Sequence, residues 1–197
     1  MCCAGSRLFV EQKVYDQFTE TLANSAASLK QGPGLDKDSR IGPLVSQEQF
    51  ERVLGYIDIG KKEGAQIKVG GEKNKELGKG YFVKPTVLTN VNNSMRVAQE
   101  EIFGPVVAAI PFKDEADVIR QANQTVYGLS AGVWTRDVSK AHRISRALRA
   151  GTVWVNCYNQ LDPISPFGGY KQSGFGRELG LHSLELYTQI KSVWLRV

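Results

Sequence analysis

The residues best suited to covalent chemistry stand at the start of the sequence, where Met1 is followed by Cys2-Cys3-Ala4-Gly5-Ser6-Arg7. A cysteine attacks as its thiolate, so a reactive thiol needs a lowered pKa or a nearby base. The small residues around the pair and the apolar run Leu8-Phe9-Val10 predict a nucleophile on a tight loop that leads into a buried strand. The alternative is a cysteine packed in the core.

A second candidate segment is Gln99-Glu100-Glu101-Ile102-Phe103-Gly104-Pro105-Val106. A carboxylate at a strand entrance can accept two hydrogen bonds from ribose hydroxyls, as acidic residues do in dinucleotide sites. A neighbouring aromatic side chain can pack on a flat ring. The residues alone leave a second interpretation open, a helix end with solvated glutamates and a core phenylalanine.

Two further segments combine polar, aromatic and glycine residues. The first is 154–158 with 166–171, at the predicted carboxyl end of a strand, where open α/β sheets bind ligands. The second is 173–180, whose glycines read G-x-G-x-x-x-G and so miss the phosphate-binding fingerprint by one residue. These glycines are more typical of a backbone that passes close to another segment.

The apolar periodicity predicts the elements that must position these residues. Strand and helix patterns alternate, which is typical of βαβ units. The sequence therefore predicts an α/β fold with a mostly parallel sheet flanked by helices, in a single domain over 1–197. Pro85 favours an edge or irregular strand, and Ser46 with Gln49 predicts a capping box. The predicted helices cover 12–30, 46–64, 114–123, 137–149 and 178–187, and the predicted strands 8–10, 66–69, 81–88, 106–111, 129–135, 152–156 and 190–197.

Composition narrows the function classes. Apolar residues make up 42% and charged residues 23%, which is typical of a globular protein, and no apolar run is long enough for a membrane helix. The net charge of +5 is scattered rather than patterned, so we expect no nucleic-acid binding. Three cysteines and two histidines without ligand spacing predict no metal site. Cysteine usage favours the cytoplasm, although an upstream targeting segment could be missing.

Ten stretches recur together in an order and spacing known from one family, and they run from the first residue nearly to the last. On these stretches the sequence resembles the C-terminal catalytic half of the aldehyde dehydrogenase superfamily. The stretches are Cys2-Cys3-Ala4-Gly5-Ser6-Arg7, Gly42-Pro43, Gly55-Tyr56-Ile57, Gly80-Tyr81-Phe82, Pro85-Thr86-Val87, Glu100-Glu101-Ile102-Phe103-Gly104-Pro105-Val106, Tyr127-Gly128-Leu129, Gly151-Thr152-Val153-Trp154-Val155-Asn156, Pro166-Phe167-Gly168-Gly169 and Ser173-Gly174-Phe175-Gly176-Arg177-Glu178.

The resemblance implies roles for eight residues. One is the nucleophile, four bind the cofactor and three line the substrate pocket. They are Cys2 as nucleophile; Glu101 on the nicotinamide ribose, Phe103 near the nicotinamide, and Gln49 and Arg52 near the adenosine ribose; and Cys3, Leu161 and Phe167 in the aldehyde pocket.

The resemblance also implies a covalent mechanism with NAD or NADP. The Cys2 thiolate attacks a small-molecule aldehyde, hydride leaves for the cofactor, and water releases the acid from a thioester. In the family the main cofactor-binding domain, the general base and the side-chain oxyanion donor precede the nucleophile. We therefore expect the chain by itself to show no measurable aldehyde oxidation. Residues 190–197 are similar to a strand that joins subunits, which predicts a homo-oligomer or association with a full-length relative.

Two other functions stay open at this point. The chain could be a non-catalytic interaction or regulatory subunit rather than part of an enzyme. If Met1 is removed, Cys2 could instead act as an N-terminal nucleophile of a hydrolase, although such enzymes are built from stacked antiparallel sheets.

Overall fold

The computed structural model describes all residues from Met1 to Val197 and contains two compact units, Met1–Gln124 and Thr125–Val197. The sequence predicts one domain over 1–197. The two units are compact parts of the chain within that predicted domain. The domain assignment stays a prediction.

The first unit contains four strands and four helices. Helix α2 begins after the predicted Ser46 cap, whose hydroxyl accepts a hydrogen bond from the Gln49 backbone amide at 3.2 Å. The reciprocal half of the predicted capping box does not form, because the Gln49 side chain donates to carbonyls outside the helix. The elements are β1 (Arg7–Glu11), α1 (Tyr15–Ala27), α2 (Gln47–Lys62), β2 (Gln66–Val69), β3 (Thr86–Thr89), α3 (Arg96–Gln99), β4 (Val106–Phe112) and α4 (Glu115–Asn123).

The four strands form one sheet in the order β1-β4-β3-β2. Strand β4 pairs in parallel with both β1 and β3, and only β2 is antiparallel. Strand β3 thus lies inside the sheet, so the edge position that Pro85 suggested is wrong. The pairing of β3 with β2 is irregular, with a register shift between Ile67 and Val69. Strand β3 begins after Pro85, so the proline, which has no N–H, lies outside the hydrogen-bonded part of the sheet and removes no hydrogen bond from it.

The core of the first unit lies between the sheet and helix α2. Val53 and Leu88 are fully buried, and Ile57 and Ile110 are nearly so. Burial of such side chains contributes about 1.5–3 kcal/mol each, and this supplies the rigid base for the loops described below.

The second unit contains shorter elements. Strands β6 and β7 pair in parallel, and β5 and β8 pair antiparallel. The elements are β5 (Tyr127–Gly128), β6 (Ser130–Val133), α5 (Val138–Ala147), β7 (Thr152–Val155), β8 (Tyr170–Lys171) and α6 (Leu184–Tyr187).

The predicted fold class is confirmed, since helices alternate with strands and most pairings in the main sheet are parallel. The carboxyl-terminal predictions differ from the structure. The predicted helix at 178–187 is reduced to a 3₁₀ turn (Leu181–Ser183) and α6, and residues 190–197 form no strand and are exposed. A strand needs a neighbour to take its hydrogen bonds, and an isolated extended segment has none.

None of the helices has both the length and the apolar character needed to cross a bilayer.

Candidate functional site

The two adjacent cysteines have different environments. Cys2 is exposed on a turn that closes when the Ala4 amide donates to the Met1 carbonyl at 3.3 Å, whereas Cys3 is 7% exposed. The chain then passes Ser6, whose carbonyl accepts from the Ala108 amide at 2.9 Å, and enters β1. The predicted nucleophile is thus open to solvent at the amino end of a sheet strand, and its neighbour packs inward.

Arg7 fixes the base of this cysteine loop. Its guanidinium donates to the side-chain oxygen of Asn93 at 3.0 Å and to the carbonyls of Gln121 and Ala122 at 3.1 and 2.8 Å. Burial lowers the pKa of Arg7 to about 10, so the group is still charged at neutral pH. The charged guanidinium of Arg7 binds carbonyls in the last turn of α4, and the dipole at the C-terminus of a helix favours a cation there.

Asn93 connects the same cluster to the segment that carries the two glutamates. This buried side chain accepts from Arg7 and donates to the Gln121 carbonyl at 2.9 Å. Its own carbonyl accepts a hydrogen bond from Gln99, which also donates to the Gln124 carbonyl. No sequence pattern singled out Asn93, because its partners are distant in the chain.

The two neighbouring glutamates, Glu100 and Glu101, also differ. Glu100 is held by two of the guanidinium nitrogens of Arg96, Nε and Nη2, at 2.8 and 3.0 Å, and by the Tyr56 hydroxyl at 2.8 Å. Hydrogen bonds from Arg96 and Tyr56 hold the pKa of Glu100 at about 2. The Glu101 side chain is exposed and accepts no hydrogen bond or ion pair from within the chain. One carboxylate is thus committed to structure, and the other is available to a ligand.

Phe103 is unusual in both exposure and backbone. Its side chain is 51% exposed, and its φ of 56° lies in the left-handed region, where a bulky residue is strained. Strain of this kind clusters at ligand sites. The next residue, Gly104, lies so close to helix α2 that a Cβ there would be 2.5 Å from the side chain of Val53.

The topology brings these two segments to one edge of the sheet. Cys2 precedes β1, Glu101 and Phe103 precede β4, and the two strands are parallel neighbours. Adjacent parallel strands have their amino ends at the same edge.

The predicted adenosine-ribose residues, Gln49 and Arg52, lie on helix α2 and contact the same segment. The side-chain amide of Gln49 donates to the Ile102 and Phe103 carbonyls at 2.9 and 3.1 Å. Arg52 donates to the Glu101 carbonyl at 2.8 Å. Their place near an adenosine ribose stays a prediction.

The other two predicted pocket residues belong to the second unit. Leu161 is 56% exposed on the loop after β7, and Phe167 is half-buried. Phe167 exchanges two backbone hydrogen bonds of 2.7 Å with Glu178, which fixes its position. The loop after β7 is fixed in part by Trp154, whose indole N–H donates to the Gln160 carbonyl at 2.8 Å.

The glycine-rich segments of the second unit pack closely, as their composition indicated. A Cβ on Gly168 would lie 2.7 Å from the Gly176 carbonyl oxygen. No group of three or more His, Cys, Asp or Glu side chains is arranged to hold a metal ion.

An exposed thiol can act as a nucleophile and an unpartnered carboxylate can bind the hydroxyls of a ligand, so this edge of the α/β sheet is a candidate active site of an enzyme. The sequence model of the aldehyde dehydrogenase family matches residues 1–193, and the chain belongs to that family.

Curated relatives agree with this assignment. The chain is 56% identical over 197 residues to a putative aldehyde dehydrogenase, DhaS, from Bacillus subtilis, and 48% identical over 196 residues to the mitochondrial aldehyde dehydrogenase of Homo sapiens. Each match covers 100% of this chain, but only 39% and 38% of the relatives. The chain thus spans about two fifths of their length.

Solved structures show the same fold. The aldehyde dehydrogenase of Bacillus cereus, determined as an NAD+ complex, superposes with a TM-score of 0.96 at 52% identity, over 100% of this chain and 40% of that one. The betaine aldehyde dehydrogenase of Staphylococcus aureus, as a P449M mutant with NAD+ and a BME-modified cysteine, gives 0.92 at 43% identity, over 95% and 38%.

Proposed function

We propose that the chain supplies the nucleophile and part of the nicotinamide site of an NAD(P)-dependent aldehyde dehydrogenase, which oxidises an aldehyde to a carboxylic acid. The observation that carries the proposal is the contrast within the cysteine pair. Cys2 is exposed on a tight turn, and Cys3 beside it is buried.

Cys2 acts as the covalent catalyst in this proposal. Its thiolate adds to the aldehyde carbonyl and forms a tetrahedral thiohemiacetal on sulfur. The backbone N–H of Cys2 helps to hold the developing oxyanion. After hydride has left the substrate carbon, the acyl group is a thioester on Cys2, and water cleaves it to release the acid and the thiol.

The residues of the first unit fit a nicotinamide nucleotide. Glu101 offers a carboxylate without a partner in the chain, which suits the two hydroxyls of a ribose, and Phe103 offers an exposed ring. When bound, NAD or NADP supplies the acceptor for the hydride. The relative from Bacillus cereus was solved with NAD+, which supports this cofactor class.

Substrate, assembly and location are further parts of the proposal. Leu161 and Phe167 would face the aldehyde. The exposed apolar side chains of Trp194 and Leu195 support pairing of 190–197 with a second copy or a full-length relative. The three cysteines, none of which is in a disulfide, favour the cytoplasm.

The test uses a chimera, in which this chain replaces the 197 matching residues of the Bacillus subtilis relative. The chimera should reduce NAD in the presence of an aldehyde such as propanal, whereas the 197-residue chain alone should not. Cys2→Ala should lower kcat by at least about 10⁴-fold, because the covalent intermediate cannot form.

Cys3→Ala is the matched control for loss of a thiol and should keep kcat within about tenfold of the parent chimera, whereas the KM for the aldehyde reports its predicted place in the pocket. If Cys2→Ala keeps its activity, or if Cys3→Ala alone abolishes NAD reduction in a folded protein, the assignment of the nucleophile is wrong.

A further inference from the structure

One face of helix α2 contacts the whole of the segment that carries Glu101 and Phe103. Gln49, Arg52, Val53 and Tyr56 are spaced at i, i+3, i+4 and i+7, so their side chains lie on one side of the helix. Tyr56 binds the Glu100 carboxylate, and Val53 packs on Gly104. We call these four residues the α2 contact face.

Gln49 and Arg52 bind the backbone of the segment between Glu100, which Tyr56 contacts, and Gly104, which packs on Val53. The side-chain nitrogen of Gln49 carries two hydrogens, and the carbonyls of Ile102 and Phe103 accept them at 2.9 and 3.1 Å. Arg52 donates to the preceding carbonyl, that of Glu101, at 2.8 Å. Three successive carbonyls are thus bound by two side chains from one helix.

The segment needs such support because its conformation is unfavourable by itself. The left-handed φ of Phe103 persists only where surrounding contacts over-determine it. Gly104 lets the backbone approach Val53 closely enough for these hydrogen bonds to form. The contacts of the α2 contact face are therefore the evident source of that support.

We propose that Gln49 and Arg52 are positioning residues, which hold the left-handed turn at Phe103 and thereby orient the Glu101 carboxylate and the Phe103 ring toward the nicotinamide nucleoside. The inference rests on the proposed function for its purpose. It assigns Gln49 and Arg52 an action through the backbone of 101–103, which is separate from their predicted place near the adenosine ribose.

The first experiment uses the 197-residue chain without any ligand. The backbone and Cβ ¹³C chemical shifts of Phe103 report whether its φ is positive. Gln49→Ala, and Gln49→Glu as a variant of nearly equal size that cannot donate, should move these shifts out of the left-handed range. Gln47→Ala is the matched control, because Gln47 lies in the same helical turn and its amide binds only the exposed Glu51 carboxylate, at 2.7 Å.

Unchanged Phe103 shifts in both Gln49 variants would overturn the proposal. Loss of signals throughout the first unit would also overturn it, because Gln49 would then support the fold in general and not this turn.

The second experiment measures kinetics in the chimera described above. Gln49→Ala should raise the KM for NAD about tenfold and leave the KM for the aldehyde within about twofold, and Gln47→Ala should match the parent. A tenfold rise in the KM for NAD in a variant that keeps the Phe103 turn in the first experiment would show that Gln49 acts by direct contact with the cofactor. That result would overturn the positioning role. A parent chimera without activity would refute the proposed function, and the shifts of Phe103 would then decide the positioning role alone.

Discussion

The two compact units bury their apolar residues to different extents. In the first unit, fourteen buried residues form one continuous cluster around Ile57 and Leu88. In the second, the buried apolar side chains are Val133, Ile144 and Trp154. Exposed apolar side chains are frequent in the second unit, and such surfaces mark places where another surface binds. The nucleophile and the free carboxylate therefore belong to the unit with its own core.

The largest effect should come from a matched pair of isoleucines, one in each unit. Ile57 is 1% exposed on α2, and Ile144 is 9% exposed on α5. Ile57→Ala should lower the free energy of unfolding by about 4 kcal/mol and Ile144→Ala by about 2, because the denser site leaves the larger cavity.

Two optical probes separate the units in this measurement. The three tryptophans, Trp134, Trp154 and Trp194, lie in the second unit, so fluorescence follows that unit while far-ultraviolet circular dichroism follows both. Ile57→Ala should shift the dichroism transition in urea and leave the fluorescence transition in place. Equal shifts of both signals would mean that the units unfold together, and the contrast between them would fail.

A smaller effect should follow from removal of the buried cation of the first unit. Arg7→Met keeps the apolar stem and deletes the hydrogen bonds to Asn93, Gln121 and Ala122. Unfolding should become easier by about 2 kcal/mol, because a hydrogen bond to a charged group contributes about 1.5–3 kcal/mol and part of this offsets the cost of burying the charge.

Arg136, which is exposed in the second unit, provides the control for Arg7. Arg136→Met should change the free energy of unfolding by less than about 0.5 kcal/mol. Equal losses for the two variants would show that Arg7 contributes no more than a surface arginine. Urea titrations at one pH are sufficient for both.

The smallest effect concerns acid stability of the first unit. The pKa of Glu100 is held at about 2, so its pair with Arg96 stabilises the folded chain above the usual glutamate pKa of 4.5 and loses that contribution as the pH falls toward 2. The Glu100 side chain is 42% exposed, so water screens the pair and about 0.5 kcal/mol is expected.

Glu100→Gln should remove this loss, which urea titrations between pH 5 and pH 2 measure. Glu101→Gln changes the neighbouring carboxyl and leaves the Arg96 pair intact, so it should keep the acid slope of the parent. A parent slope that survives in Glu100→Gln would assign the effect to other carboxylates.

Local sequence signals predicted much of this fold. The helix over 46–64 follows from apolar periodicity and from the Ser46 cap, both of which operate within a few residues. Family resemblance gave the order of the segments and the likeness to aldehyde dehydrogenases, which the family match and the solved structures confirm.

The parts that sequence could not predict depend on distant partners. Glu100 and Glu101 are the same residue type at adjacent positions, so the sequence cannot distinguish their roles. In the structure Arg96 and Tyr56 bind the carboxylate of Glu100 and not that of Glu101. Asn93 acquires its role from residues near 121–124. At 190–197, apolar residues and the resemblance to a subunit-joining strand indicated a strand, but the sequence of a strand does not supply the neighbouring strand with which it must pair.

The pairing of β1 has a consequence for the order in which the protein folds. Arg7 finds its partners 86 to 115 residues later in the chain, at Asn93 and Ala122, and β1 pairs with β4. Closing so long a loop costs chain entropy, and parallel strands far apart in sequence pair slowly. We therefore expect the turn with Cys2, which is synthesised before the rest of the first unit, to become fixed only after α4 has formed.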